Sequence, residues 1–132
     1  MDNLDISWLF ELAINPGRFE DFKALMAGTI EATQSEVDTL NYEWTISDDH
    51  QVCHVYERYR DSAAVMMHLE SFGANFAVRL MEAVTPARLV AYGTPSPQVK
   101  DALAGLSPVY MAPLARFLHQ MVVCAEAGYL RS

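Results

Sequence analysis

The stretch Cys53-His54-Val55-Tyr56-Glu57-Arg58-Tyr59-Arg60-Asp61-Ser62-Ala63-Ala64 changes its periodicity partway along, and that change decides the fold. Up to Tyr59 it is rich in β-branched and aromatic residues in alternation, the pattern of a strand running from about Gln51. Arg60-Asp61-Ser62 supplies a turn, and Asp61 or Ser62 can accept hydrogen bonds from the free N–H groups that open a helix. Beyond it Val65, Leu69, Phe72, Phe76 and Leu80 recur at helical spacing to about Val84, where Thr85-Pro86 stops the helix. Gly73 is a weak point at which that helix can bend or restart.

Neither parity of the strand is cleanly polar. One holds Val52, His54, Tyr56 and Arg58, the other Cys53, Val55, Glu57 and Tyr59. Both faces are therefore expected to be buried, one under helices and one against a second copy of the chain, in a homodimer.

On the N-terminal side, Ile6, Trp8, Phe10, Leu12 and Ile14 alternate with Ser7 and Glu11 as a strand, which Asn15-Pro16-Gly17 breaks. Phe19, Phe22, Met26 and Ile30 then mark an amphipathic helix that fades near Gln34-Ser35. Leu40, Tyr42, Trp44 and Ile46 make a second strand, joined to the third by the turn Ser47-Asp48-Asp49-His50. Arg88 to Tyr92 reads as a fourth, short strand. The order strand, helix, strand, strand, helix, strand is the ferredoxin-like split βαβ unit, an α+β fold with an antiparallel sheet, over residues 1–95. Residues 96–132 form a helical extension. Ser96 and Pro97 cap a short helix from Gln98 to Leu103, and Met111, Leu114, Phe117 and Leu118 mark a last apolar helix to about Ala125. That extension is expected to cover apolar surface on its own domain or on the partner.

A chain of 132 residues that is 52% hydrophobic is one domain with a real core. A net charge of -8 disfavours nucleic acid and anionic membrane surfaces, both of which reward clustered Lys and Arg. The acidic start Met1-Asp2-Asn3-Leu4-Asp5 lacks the basic region of a signal peptide, and no stretch is long and apolar enough to span a bilayer, so a cytoplasmic location is expected. Cys53 and Cys124 show no metal-type spacing and read as reduced, buried apolar residues.

The run Asn41-Tyr42-Glu43-Trp44, the segment Tyr56 to Ala64 followed by His68, and Phe72 with Phe76 resemble the antibiotic biosynthesis monooxygenase family. The resemblance covers roughly Trp8 to Gly93, with Asp38 standing where the family often has a turn glycine. It implies a dimeric α/β barrel with a cleft between sheet and helices in each subunit. It further implies a cofactor-independent monooxygenase acting on a quinol-like or polyketide-like aromatic. A small-molecule binding or sensor protein of the same fold and a proton-transfer isomerase stay open as alternatives. In the haem-degrading members of that superfamily the second helix carries the iron ligand, and His68 sits too early on it, so no cofactor is expected.

At about 100° per residue, His68, Asn75 and Arg79 share one edge of the second helix's apolar stripe, a polar shoulder beside an apolar wall. These three are the candidate catalytic residues: His68 for proton transfer or substrate hydrogen bonding, Arg79 or Asn75 to steady developing negative charge. The bland reading leaves them at a solvated boundary or against the partner. Tyr42, Trp44, Glu57, Tyr59, Phe72 and Phe76 are the candidate substrate-binding residues, although aromatics so placed are equally read as core. Glu57 needs a partner if buried; it reads as a structural acid paired with Arg58, Arg60 or Arg79, and would be a general base if its pKa were raised. His50 and His54 lie across a turn and a strand and do not converge on a metal.

Overall fold

The alternating run Ile6–Ile14 forms β1, the strand around which the sheet is assembled. It pairs antiparallel with β3 (Val52–Tyr59) on one side and β4 (Val84–Tyr92) on the other. The structure is a computed structural model and describes residues 4–117. β2 (Thr39–Ile46) lies antiparallel outside β3, and a short β5 (Val109–Met111) lies parallel outside β4, giving the order β2-β3-β1-β4-β5. Helices α1 (Phe19–Thr33), α2 (Ser62–Asn75) and α3 (Ala77–Ala83) pack on one face, and α4 (Pro97–Leu103) adds Val99 and Leu103 to the same layer. This is the α+β, ferredoxin-like arrangement expected, with one strand added at the edge.

Pairing register puts one parity of every central strand under the helices. Ile6, Trp8, Phe10 and Leu12 of β1 lie directly opposite Tyr59, Glu57, Val55 and Cys53 of β3, while Tyr42 and Trp44 of β2 lie opposite Glu57 and Val55. Leu12 and Phe22 are buried with Leu80, Ala83 and Val84, while Ile6, Trp8 and Tyr59 are buried with Val65, Ala91 and Val99. Full burial of each large apolar side chain contributes about 1.5–3 kcal/mol, so this layer dominates the fold's stability. Cys53 lies inside it, and burial pushes its thiol up to about 11, which leaves it an unreactive apolar residue. The opposite face, with Val52, His54, Tyr56 and Arg58, is half-buried in the single chain.

Four expectations are corrected. The second helix does not run unbroken to Val84: Phe76 leaves helical geometry at φ -132°, separating α2 from α3. Strand β4 begins at Val84 rather than Arg88, and Pro86 lies within it, because the register shift beside Glu11 and Leu12 absorbs the irregularity and β5 reaches only Val90 to Tyr92. The expected α1 stripe of Phe19, Phe22, Met26 and Ile30 holds only in part: Phe22 is buried and Phe19 packs on the core, but Met26 and Ile30 are half-buried, and Thr29 and Thr33 take the other buried positions. The last helix does not start at Met111, which belongs to β5; residues 112–117 form no regular element, and Leu118 to Ala125, with Cys124, lie outside the described residues. β5 forms because Ser107, in a left-handed turn after α4, redirects Val109 and Tyr110 alongside β4, with α4 as the crossover a parallel pair needs.

Two glycines are predicted to respond oppositely to alanine. Gly93 has φ +113°, and a Cβ there would stand 2.9 Å from the Asp5 carbonyl oxygen, so Gly93→Ala should destabilise by roughly 1–3 kcal/mol. Gly73 lies inside α2 with nothing within 4 Å of an added Cβ, so Gly73→Ala should stabilise by up to about 1 kcal/mol. Urea unfolding of the two variants checks both signs.

Candidate functional site

Alternation along β3 turns Glu57 toward the helices and Arg58 away from them, which takes the nearest guanidinium out of reach. Arg58 instead binds Asp5 at 2.7 Å, and Arg60 binds Asp38 at 2.8 Å. Asp38, the residue in place of the family's turn glycine, thereby fastens the start of β2 to the end of β3; its carbonyl also accepts from the Arg60 N–H at 2.9 Å. None of the three arginines expected to neutralise Glu57 does so.

Its partners are His68 and Tyr59. His68 Nε2 lies 3.6 Å from Glu57 Oε1, and the Tyr59 hydroxyl donates to the same oxygen. His68 is only 3% exposed, so α2 presents it at the centre of its buried face with Ala64 and Val65. Tyr42 meets the imidazole edge-on at 5.3 Å between centroids, Tyr59 tilts against it at 5.4 Å, and Phe72 stacks at 6.1 Å. On the far side, Nδ1 lies 2.9 Å from Oε1 of Glu36. A carboxylate only accepts, so this contact places the proton on Nδ1 and turns Nε2 toward Glu57.

Glu36 is held by the turn between α1 and β2. Its N–H donates to Thr33 O, its carbonyl accepts from Thr39 N, and Thr39 Oγ1 donates to its carboxylate at 2.9 Å. The result is a chain of groups, Glu36, His68, Glu57 and Tyr59, drawn from a turn, a helix and a strand. Burial raises the Glu57 pKa above the ordinary carboxyl value; the charge of His68, the Tyr59 hydroxyl and the Trp8 indole oppose that rise, and Glu36 adds to it. Burial, with the charge of Glu57 next, raises Tyr42 and Tyr59 far enough to keep both phenols neutral.

Glu57 and His68 open onto a cavity of about 90 Å³ between sheet and helices. Trp8, Phe10, Tyr42, Trp44 and Val55 form its floor, Leu69, Phe72 and Leu80 its roof, and Leu89, Leu103, Leu106 and Met81 its remaining wall. The indole N–H of Trp44 is buried against Tyr42, the two rings meeting edge-on at 5.8 Å. An apolar cavity of ~150 Å³ admits benzene, so a ligand of one ring requires a small widening here. Met81 and Leu106, 38% and 36% exposed, mark the side on which that can occur, because an unbranched methionine changes rotamer readily.

Of the residues singled out from sequence, the structure brings His68, Glu57, Tyr42, Trp44 and Phe72 together around this cavity. Tyr59 stands behind Glu57, and Phe76 stacks on Phe72 outside the lining. Asn75 and Arg79 are exposed and away from it. Asn75 donates to the Ser71 carbonyl at 2.9 Å, and Arg79 donates to the Asn75 carbonyl at 2.7 Å, so the two finish the end of α2. The break at Phe76 removes Arg79 from the line of His68, and Asn75 lies beyond the part of α2 that reaches the sheet. Glu36 and Trp8 were not anticipated: Glu36 sits in a polar turn far along the chain from His68, and Trp8 reads as core. Among the described residues no group of three or more His, Cys, Asp or Glu side chains is arranged to hold a metal ion.

The buried acid has a thermodynamic signature. Below the unfolded carboxyl pKa both states are protonated; above it the unfolded chain loses a proton that folded Glu57 retains, so stability declines with rising pH until the folded pKa is passed. Glu57→Gln keeps the amide oxygen as acceptor for Tyr59 and removes this decline. Its Tm relative to the unmodified chain is predicted to rise by a few degrees between pH 4 and pH 8, measured by circular dichroism; a difference constant with pH would show that Glu57 does not resist ionisation.

No protein-family model and no curated protein matches the chain. Solved structures do. MupZ from Pseudomonas fluorescens aligns with a TM-score of 0.81 at 22% identity, over 92% of this chain and 100% of that one. SnoaB from Streptomyces nogalater, described as a cofactor-independent oxygenase, aligns with a TM-score of 0.60 at 13% identity, over 70% of this chain and 94% of that one. A protein of Nitrosomonas europaea assigned provisionally to the antibiotic biosynthesis monooxygenases aligns at 0.63 and 16% identity, over 74% and 96%. At these identities the likeness is one of fold: the chain is similar to these proteins in architecture, and its structural neighbours include those placed among the antibiotic biosynthesis monooxygenases.

Proposed function

We propose that this chain is an acid–base enzyme for a small, mostly apolar ring compound, and that with dioxygen as co-substrate it acts as a cofactor-independent monooxygenase of quinols. The observation that carries the reading is the pair Glu57–His68, buried yet facing an otherwise apolar cavity. A carboxyl of raised pKa beside an imidazole is suited to moving a proton near neutral pH. The description of SnoaB adds support by analogy of fold alone.

In this reading Glu57, assisted by His68, takes the hydroxyl proton of a quinol and leaves an electron-rich anion. The anion gives one electron to dioxygen, and the resulting pair combines to form a C–O bond. Loss of water from the peroxide then yields a hydroxyquinone, so quinol and dioxygen become hydroxyquinone and water. The cavity's volume favours a single-ring quinol over a fused polyketide. Nothing but the proton transfer is required for isomerisation, so the same pair supports a proton-transfer isomerase as the second reading.

Oxygen uptake with a panel of monocyclic quinols tests this. Turnover is predicted to fall roughly 10²-fold or more in both Glu57→Gln and His68→Ala and to change little in Arg79→Ala, and in the unmodified chain it should rise with pH as Glu57 ionises. Uptake indifferent to Glu57 and His68 would overturn the assignment. Deuterium exchange into a cyclic ketone without oxygen uptake would favour the isomerase, and thermal stabilisation by quinols without either would favour a binding protein.

We also propose that two copies pair through the half-buried sheet face. His54 there meets Glu11 at 3.2 Å and Arg58 pairs with Asp5 at 2.7 Å, so these polar side chains already have partners within the chain and the surface between them is suited to burial. Sedimentation at micromolar concentration is predicted to give a dimer; a monomer would defeat this.

A further inference from the structure

Proton transfer inside an apolar cavity is served by a route to water that a bound ring compound does not block. Glu57 and His68 are nearly covered and face the cavity such a compound would fill: their side chains are 8% and 4% exposed, and rings of Tyr42, Tyr59 and Phe72 surround the imidazole. Glu36 is the most exposed member of the chain, its side chain 11% exposed at the turn between α1 and β2, on the side of His68 away from the cavity. It sits against Nδ1, the nitrogen opposite the one that faces Glu57.

We infer that Glu36 is the proton outlet of the cavity, exchanging protons between water and Glu57 through the two nitrogens of His68. This rests on the acid–base reading of Glu57 and His68. The bookkeeping is complete without another reactant. A proton on Glu57 Oε1 passes to Nε2 of His68, the proton on Nδ1 passes to Glu36 Oε1, and water takes it from Glu36; Glu57 is left ionised with the imidazole in its other tautomer, and the inward transfer from water through Glu36 reprotonates Glu57 and restores the first tautomer. The step into Nε2 requires the 3.6 Å separation to shorten by several tenths of an ångström. The groups facing His68 are Glu36 from the turn, Tyr42 from β2, and Glu57 and Tyr59 from β3. Both tyrosines keep their protons, so among these groups only the two carboxyls can accept one. Glu36 is a relay residue that does not touch the ring compound.

The test is the rate at which the His68 ring N–H exchanges with water, read by NMR on the full chain labelled with ¹⁵N-histidine. Glu36→Gln preserves an acceptor for Nδ1–H but cannot take its proton, and exchange is predicted to slow on the order of tenfold or more. Thr39→Val removes the hydroxyl that steadies Glu36 and leaves the acid, so it is predicted to keep exchange within about twofold of the unmodified chain. Exchange unchanged in Glu36→Gln, or slowed equally by both substitutions, would overturn the outlet and leave Glu36 a structural residue. The measurement needs no substrate. Slowed exchange with no quinol turnover would retain the outlet and remove the oxygenase, whereas turnover with unchanged exchange would do the reverse.

Discussion

A carboxyl group sits in the layer from which the fold excludes water, and most of the site follows from accommodating it. An ionised carboxylate left alone there would cost several kcal/mol, so the chain supplies a histidine, a phenol and an indole and shifts the acid toward its neutral form. Sheet register decides which residue bears this burden. With a period of two, a slip of one position along β3 would turn Arg58 inward and Glu57 outward. The pairings of Trp8 and Tyr42 with Glu57 on its two sides hold that register, and both aromatics then become part of the cavity.

The same constraint explains why the histidine is not loose. An imidazole between two carboxyls is drawn toward both, and its geometry is set by whichever is more rigidly held. Glu36 is fixed by backbone hydrogen bonds on both sides and by Thr39, and the turn bearing it is tied to β3 through Asp38 and Arg60. The 2.9 Å contact to Glu36 and the looser 3.6 Å approach to Glu57 follow that order. The looser contact faces the cavity, where a ligand could rearrange it.

Periodicity made the architecture legible. The strand pattern of Ile6–Ile14, the change of period at Arg60-Asp61-Ser62 and the caps at Asp61 and Ser96 lead to observed elements, and both caps accept the expected backbone N–H. The site was half legible. Tyr42, Trp44, Phe72, His68 and Glu57 stand out as aromatics and ionisable groups on apolar elements, but a helical projection places residues only while the helix continues. Drawn through Phe76, it joined Arg79 to His68 and made a shoulder that does not exist. The opposite error separated Glu57 from His68, since register between β3 and α2 is a tertiary property that neither segment records. Glu36 carried no local signal, because its role comes from the turn's approach to a helix far along the chain.

The break at Phe76 matters for more than the loss of that shoulder. A single helix continued to Val84 would need the sheet to accept a straight rod with one apolar stripe. Ending α2 at Asn75 and restarting α3 at Ala77 lets Leu80 enter the core while Met81 turns to the cavity's margin. The mouth is thus bounded by a short helix and by Leu106 in the turn after α4, rather than by the long helix that holds His68. A change of rotamer at Met81 or Leu106 admits a ligand from the side away from the imidazole and its two carboxyls. Separating the parts that must open from those that must stay aligned reconciles a cavity of about 90 Å³ with chemistry on a ring compound.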